Sequence, residues 1–305
     1  DAQNVIYAGD SAVKANVTAK SVGGKINLSK VDSETGAVAQ GDAILKGAVY
    51  AVYNSVGNEI ARLTIGDDLT AKTDYLDLGT YTIKEVGAPN GYNLSNETYT
   101  VTITADNLNP VVQVKDNVIK GNLEILKKLE SADYDSEINL SGAQFKITLK
   151  SDTTKVYYTN ESGLDGICRV DNLPYGQYIV EEVTVPNSAF KVDNFEITIS
   201  EDSRTYERTI VDKSKKMKIA VEKILLPEVV GKTDAKVSGA YFTVYTDEAA
   251  TVPYKDKNGS VVVIGPTNKD GYAVSKTMRT GSYYLKETTF PEGINPDAMV
   301  PGENV

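Results

Sequence analysis

Apolar and polar residues alternate with a period of two through much of this chain. In KINLSK (25–30), Ile26, Leu28 and Lys30 fall on one face. In YTIKEV (81–86), Tyr81, Ile83 and Glu85 do the same. Alternation of this kind marks a strand with one face against a core. The runs are short, rich in Val, Ile, Thr and Tyr, and separated by turn signals such as SVGN, APNG and DKNG. No helical period of useful length competes with them. Tyr81 and Ile83 identify the inward face, so the strand over 81–86 aims the carboxylate of Glu85 into the core.

The strand signals recur. The opening strands KINLSK (25–30), NLEILK (122–127) and KIAVEK (218–223) each end in Lys on the apolar face. A second block reads LKGAVYAVY (45–53), LSGAQFKIT (140–148) and VSGAYFTVY (237–245). A third reads LGTYTIKEV (78–86), YGQYIVEEV (175–183) and TGSYYLKET (280–288), soon followed by Pro89, Pro186 and Pro291. Lys30 to Lys127 is 97 positions and Lys127 to Lys223 is 96. Lys30 to Glu85 and Lys127 to Glu182 are both 55, while Lys223 to Glu287 is 64, the excess falling around TDEAATVPYKDKNGS. A repeat of this length exceeds a solenoid unit and is the size of an independent domain.

The organisation expected is an N-terminal segment 1–22 that ends a preceding repeat, then three β-sandwiches over 23–119, 120–215 and 216–305. The joints KDNVIKGN and VDKSKKMK are short and not Gly/Ser-rich, which predicts an elongated, stiff rod.

Alternation also places the charged groups. Lys30, Lys127 and Lys223 extend the inward faces of the opening strands, and Glu85, Glu182 and Glu287 share faces with Tyr81 and Ile83, Tyr178 and Val180, and Tyr283 and Leu285. In the closing strands VVQVKDN and ERTIVDK, Asp116 follows Val112 and Val114, and Asp212 follows Ile210. A single lysine at a strand end can extend its ammonium to water. Recurrence in register favours a common purpose, and a buried ion pair alone is a poor stabiliser because desolvation offsets the attraction.

Composition narrows what that purpose is. The net charge of −10 argues against nucleic acid and anionic membrane surfaces. There is no His, which removes Ser-His-Asp and Cys-His systems and His-based zinc sites. No metal or cofactor site is expected: TNKDG and ESGLDG read as turns rather than calcium loops. The single Cys168, in GICRV, reads as a small core residue, and the 19 Tyr as packing residues of core and rim. No apolar run is long enough to insert in a membrane, and DAQNVIYAGD, with no leader pattern, is expected to open a mature or excised form.

Buried lysine and glutamate both tend toward their neutral forms. A neutral amine is a nucleophile, and a protonated Glu can polarise the carbonyl of a neighbouring Asp. Amine attack with loss of water joins the two side chains as an amide. Burial supplies dryness and orientation, and the chemistry runs once per domain.

The lysine-ended opening strand, the GAxF-like block, the GxYxxxE block followed by Pro, and the Asp/Asn-bearing closing strand together resemble the collagen-adhesin B-type domains of Gram-positive surface adhesins and pilins. The resemblance covers most of residues 23–305. It implies an all-β, immunoglobulin-like (prealbumin-like) sandwich with intramolecular Lys–Asn or Lys–Asp isopeptide bonds assisted by a catalytic Glu. Carried over, the sets are Lys30–Glu85–Asp116 and Lys127–Glu182–Asp212. Asn117 is an alternative acceptor to Asp116, although it points the other way.

The third repeat departs from the pattern. Lys223 and Glu287 are present, but an acceptor is expected about 30 positions beyond Glu287 by analogy with Asp116 and Asp212, and Asn304 comes too early. QNVIYAG (3–9) echoes DNVIKG (116–121), and such a strand could complete the third domain of another copy, with Gln3 at the acceptor position. A lone chain is expected to lack the third bond unless residues 1–22 fold back. The function expected is a structural stalk at the cell surface or cell wall, partnered by other domains of the same protein and by other pilin subunits. The alternative is a module binding host extracellular matrix or glycan, with residues 246–266 as its loop. A polymerising pilus backbone would need a sorting signal and a pilin lysine, and Lys14 and Lys20 lack the flanking pattern.

Overall fold

A computed structural model describes residues 22–225 and 236–294. The N-terminal segment with Gln3, Lys14 and Lys20, and the position of Asn304, lie outside the described residues. The chain is all-β, with no helix among the described residues. It forms two compact units: the first holds the first repeat with Pro174–Gly176 and Ile199–Asp202, the second holds the rest of the second repeat and the third.

In the first repeat, one sheet is ordered Glu59–Thr64, Val49–Tyr53, Gly79–Gly87, Thr98–Ile103, and the facing sheet Thr70–Lys72, Asn27–Asp32, Val111–Asp116. Between them pack Ile26, Leu28, Tyr50, Val52, Ile65, Tyr81, Ile83, Ile103 and Val114. Each fully buried aliphatic side chain contributes about 1.5–3 kcal/mol of transfer free energy. The alternation read from the sequence is the burial seen: the opening strand Asn27–Asp32 alternates half-buried and buried along its length. SVGN makes a turn in which Asn54 Oδ1 accepts the amides of Val56 and Asn58, and Gly57 takes φ +88°.

The second repeat repeats the plan. Its first sheet is ordered Val156–Tyr158, Gln144–Leu149, Gly176–Thr184, Phe195–Ile199. The opening strand Lys120–Leu129 pairs with Ile138–Asn139 and Ile167–Pro174, and in parallel with Thr205–Asp212. Leu123, Ile125, Phe145, Ile147, Tyr178 and Val180 are fully buried.

The third repeat is sparser among the described residues. Tyr241–Tyr245 is flanked by Val263–Ile264 and Tyr284–Thr289, and the opening strand Ala220–Glu222 pairs only with Tyr272–Val274. One expectation fails here. Leu285, assigned to the core face with Tyr283 and Glu287, is 39% exposed, and Tyr283 is half-buried. Among the described residues there is no counterpart of the flanking strand Thr98–Ile103 or of the closing strand Val111–Asp116 against that face.

Candidate functional site

In each of the first two repeats the chain's first and last strands lie side by side and run parallel. Asn27–Asp32 pairs with Val111–Asp116 so that Lys30 stands opposite Val114 and Asp32 opposite Asp116. Lys120–Leu129 pairs with Thr205–Asp212 so that Lys127 stands opposite Ile210 and Leu129 opposite Asp212. The acceptor carboxylate is thus two positions beyond the lysine on a neighbouring strand and on the same face. Backbones under 5 Å apart leave the lysine's long stem enough reach to meet it.

The glutamate comes from the other sheet. Tyr50 pairs with Glu85, Phe145 with Glu182 and Phe242 with Glu287, and in every repeat the ladder shifts register immediately before the aromatic residue. A bulge adds local twist and re-aims the side chains beside it, so the same device recurs three times next to the same carboxylate.

The three groups meet. Lys30 Nζ contacts Asp116 Oδ2 and lies 3.5 Å from Glu85 Oε1, with all three side chains inaccessible to solvent. Lys127 Nζ contacts Asp212 Oδ1 and lies 3.0 Å from Glu182 Oε1, again fully enclosed. Asn117 is exposed on the opposite side and accepts a 2.6 Å hydrogen bond from Ser33 Oγ, so Asp116 is the group presented to the lysine.

Two contributors were not assigned from the sequence. The aromatic residue of the second block covers the amine: Lys30 Nζ donates to Tyr50 Oη at 2.7 Å, and Lys127 Nζ lies 5.4 Å from the Phe145 ring centroid. A backbone amide ten residues after each glutamate anchors its outer oxygen. Ser95 N donates to Glu85 Oε2 at 2.7 Å and Val192 N to Glu182 Oε2 at 3.1 Å. The recurrence of Tyr50 and Phe145 at one block position was a signal for the first. The second involves no side chain and left no trace in residue type.

Each site holds one amine and two carboxyl groups in a dry interior. Glu85 Oε1 and Glu182 Oε1 face the lysine as ion-pair partners without a well-directed hydrogen bond, and Asp212 Oδ2 accepts none. Burial pushes Glu85 up to about 7, opposed by the Ser95 amide and reinforced by a hydrogen bond with Asp116. Burial also raises Asp212, against the hydrogen bond and charge of Lys127. Burial therefore favours the protonated form of Glu85 in the first site and of Asp212 in the second. Burial drives the Tyr50 phenol far above its usual range, so it remains a neutral hydroxyl.

In the third repeat, Lys223 Nζ pairs with Glu287 Oε2 at 2.7 Å, and the lysine keeps a little solvent exposure. No acceptor carboxyl joins them among the described residues. Cys168 is buried and free, its Sγ donating to Ala143 O, and burial raises its thiol pKa, as suits a packing residue. The two calcium-like stretches cap turns: Asp165 Oδ1 accepts the Ile167 amide, and Asn268 Oδ1 the amides of Asp270 and Tyr272.

The family model of the SpaA prealbumin-like fold domain matches the chain three times, over residues 24–118, 125–214 and 223–300. The chain belongs to this family. The resemblance to B-type, pilin-like repeats is borne out, and the SpaA-type domains stand in tandem. The chain is similar to the solved structure of the Bacillus anthracis TIE protein at 25% identity and TM-score 0.66, over 88% of this chain. It spans 45% of that protein's length. It also overlaps BcpA, the major pilin subunit of Bacillus cereus, at 14% identity and TM-score 0.40, covering 91% of each chain. With the shaft pilin SpaA of Lactobacillus rhamnosus GG the identity is 15% and the TM-score 0.28, over 68% of this chain and 100% of that one. Overlaps this low say nothing about function. No curated protein matches the chain. No helix among the described residues is long and apolar enough to cross a membrane.

Proposed function

We propose that these SpaA-type domains form part of the extracellular stalk of a Gram-positive surface adhesin or pilus subunit, stiffened by two self-formed amide cross-links, Lys30–Asp116 and Lys127–Asp212. One observation carries the reading. In both complete repeats the amine of the first strand touches the carboxyl of the parallel last strand inside a dry core, with a Glu beside them.

Lys Nζ gives its extra proton to the Asp carboxylate it touches and, as a neutral amine, attacks Asp Cγ. The Glu carboxyl donates a hydrogen bond to the Asp carbonyl oxygen and passes protons from the attacking nitrogen to the departing oxygen. The N–Cγ bond forms, a Cγ–O bond breaks, and one water leaves. Glu85 and Glu182 return to their starting states. Lysine and aspartate are consumed, so there is no turnover and the domain is not an enzyme in the ordinary sense. Residues of this kind need no cofactor.

Parallel first and last strands place a domain's entry and exit at opposite ends. A pull along the chain would slide these strands past one another. A covalent link between them carries the force directly and leaves the sheets unloaded. That property suits a cell-wall-attached protein whose partners are further domains of the same chain or other pilin subunits.

Intact-mass measurement of the full chain tests the proposal. The expected mass is the sequence mass less two waters. Glu85→Ala and Glu182→Ala should each restore one water. A wild-type mass equal to the sequence mass would overturn the cross-links.

A further inference from the structure

We propose that the third repeat carries a receptor face for the acidic–aromatic loop 130–136 of the second repeat, and that this loop supplies part of the third repeat's core. The two repeats lie in one compact unit. The contact involves none of the cross-link residues.

Tyr134 occupies the centre of the contact. It packs against the third repeat's own cluster of Val244, Val262, Ile264, Ala273 and Met278. Its carbonyl accepts the Lys257 amide at 2.6 Å, and its ring lies 5.9 Å from Lys276 Nζ. The two flanking aspartates are held as well. Asp133 Oδ2 accepts the Thr277 amide at 2.9 Å, and this bond is the main reason its carboxyl lies below the usual range. Asp135 Oδ1 accepts the Tyr254 hydroxyl, while its Oδ2 accepts the Arg279 amide at 3.4 Å. The Arg279 guanidinium donates to the carbonyls of Ser136 and, at 3.2 Å, Glu130. An aromatic anchor in an apolar site, ringed by charged and backbone hydrogen bonds, is the composition of an interface hot spot.

The third repeat has reason to depend on this loop. Its described strands leave Leu285 exposed, and its buried cluster is small. The half-buried Tyr134 ring adds apolar area to that cluster. Part of the face comes from the segment that lengthens the Lys223–Glu287 spacing. Residues 246–266 fold back through bridges Tyr245–Pro253 and Lys255–Val261, which brings Tyr254 edge-on to Tyr283 at 5.2 Å and onto Asp135. The insertion expected to reach for a host ligand therefore engages the neighbouring repeat.

Hydrogen exchange on the full chain, followed by mass spectrometry, tests this. Tyr134→Ala should speed amide exchange across 241–245 and 272–274 by about tenfold, while 144–149 in the second repeat stays protected. Tyr134→Phe should stay close to the wild-type pattern, since it retains the ring and loses only the exposed 3.4 Å hydrogen bond from the Lys276 amide. Unchanged exchange in the third repeat, or an equal rise in both repeats, would overturn the proposal. Tyr254→Phe and Asp135→Ala should each speed third-repeat exchange and, combined, do no more than the stronger one alone. Independent, multiplying effects would show that these two residues do not act as a pair.

Discussion

Phe145 stands directly opposite Glu182 on the neighbouring antiparallel strand, one residue past a break in register, and Tyr50 stands in the same relation to Glu85. The aromatic residue is the lid of the charged site in both repeats. In the first it also offers a hydroxyl to the lysine, and in the second it cannot. Shape and dryness are therefore what the two sites share.

Tyr50→Phe should leave the first cross-link intact, with the intact mass still short by one water for that repeat. Phe145→Ala should not be tolerated as well. Truncating a buried Phe costs about 3–5 kcal/mol, and the cavity would admit water beside Lys127. Mass analysis during refolding should then show slow or absent water loss in the second repeat.

The choice between neighbouring acceptors is also checkable. Asp116→Ala should restore one water to the intact mass, and Asn117→Ala should not. The buried Asp116 touches Lys30, whereas Asn117 faces outward toward Ser33.

Stability should follow the covalent loop. The span from Lys127 to Asp212 is 85 residues. By analogy with a disulfide, closing a loop of that size removes unfolded-chain entropy worth about 4–5 kcal/mol. Lys127→Met keeps the apolar stem and deletes the amine. Calorimetry should show the second domain's unfolding midpoint falling by roughly 20 °C.

The first repeat should lose stability as pH rises through the range in which Glu85 titrates. Its folded carboxyl sits near 7 against 4.5 ordinarily, burial being the largest cause. Burial is the same whether or not Lys30 and Asp116 are joined. The folded state therefore holds a proton that the unfolded state releases, and stability is greatest below pH 4.5 and declines up to about 7. Glu85→Gln should flatten that slope in denaturant titrations at a series of pH values, and a slope of the opposite sign would show the carboxyl to be stabilised as an anion.

Much of the site was legible because a strand's side chains alternate strictly. Once Ile26 and Leu28 are inside, Lys30 must be, and the same count places Glu85, Asp116, Lys127, Glu182 and Asp212. What escaped depended on contacts between elements far apart in the chain. The amides of Ser95 and Val192 reach the glutamates through the backbone, which residue type does not report. Leu285 has the right phase for burial but lacks a covering strand among the described residues.

Sequence alone determined which residues point inward, since that follows from the two-residue period of a strand, and the threefold recurrence marked them as a set. Only the tertiary structure decided which inward groups meet. The parallel placement of first and last strands, the bulge beside each glutamate and the capture of Asp135 by Tyr254 are relations between separate segments. No local pattern encodes them, because each arises where two surfaces pack and exclude water together.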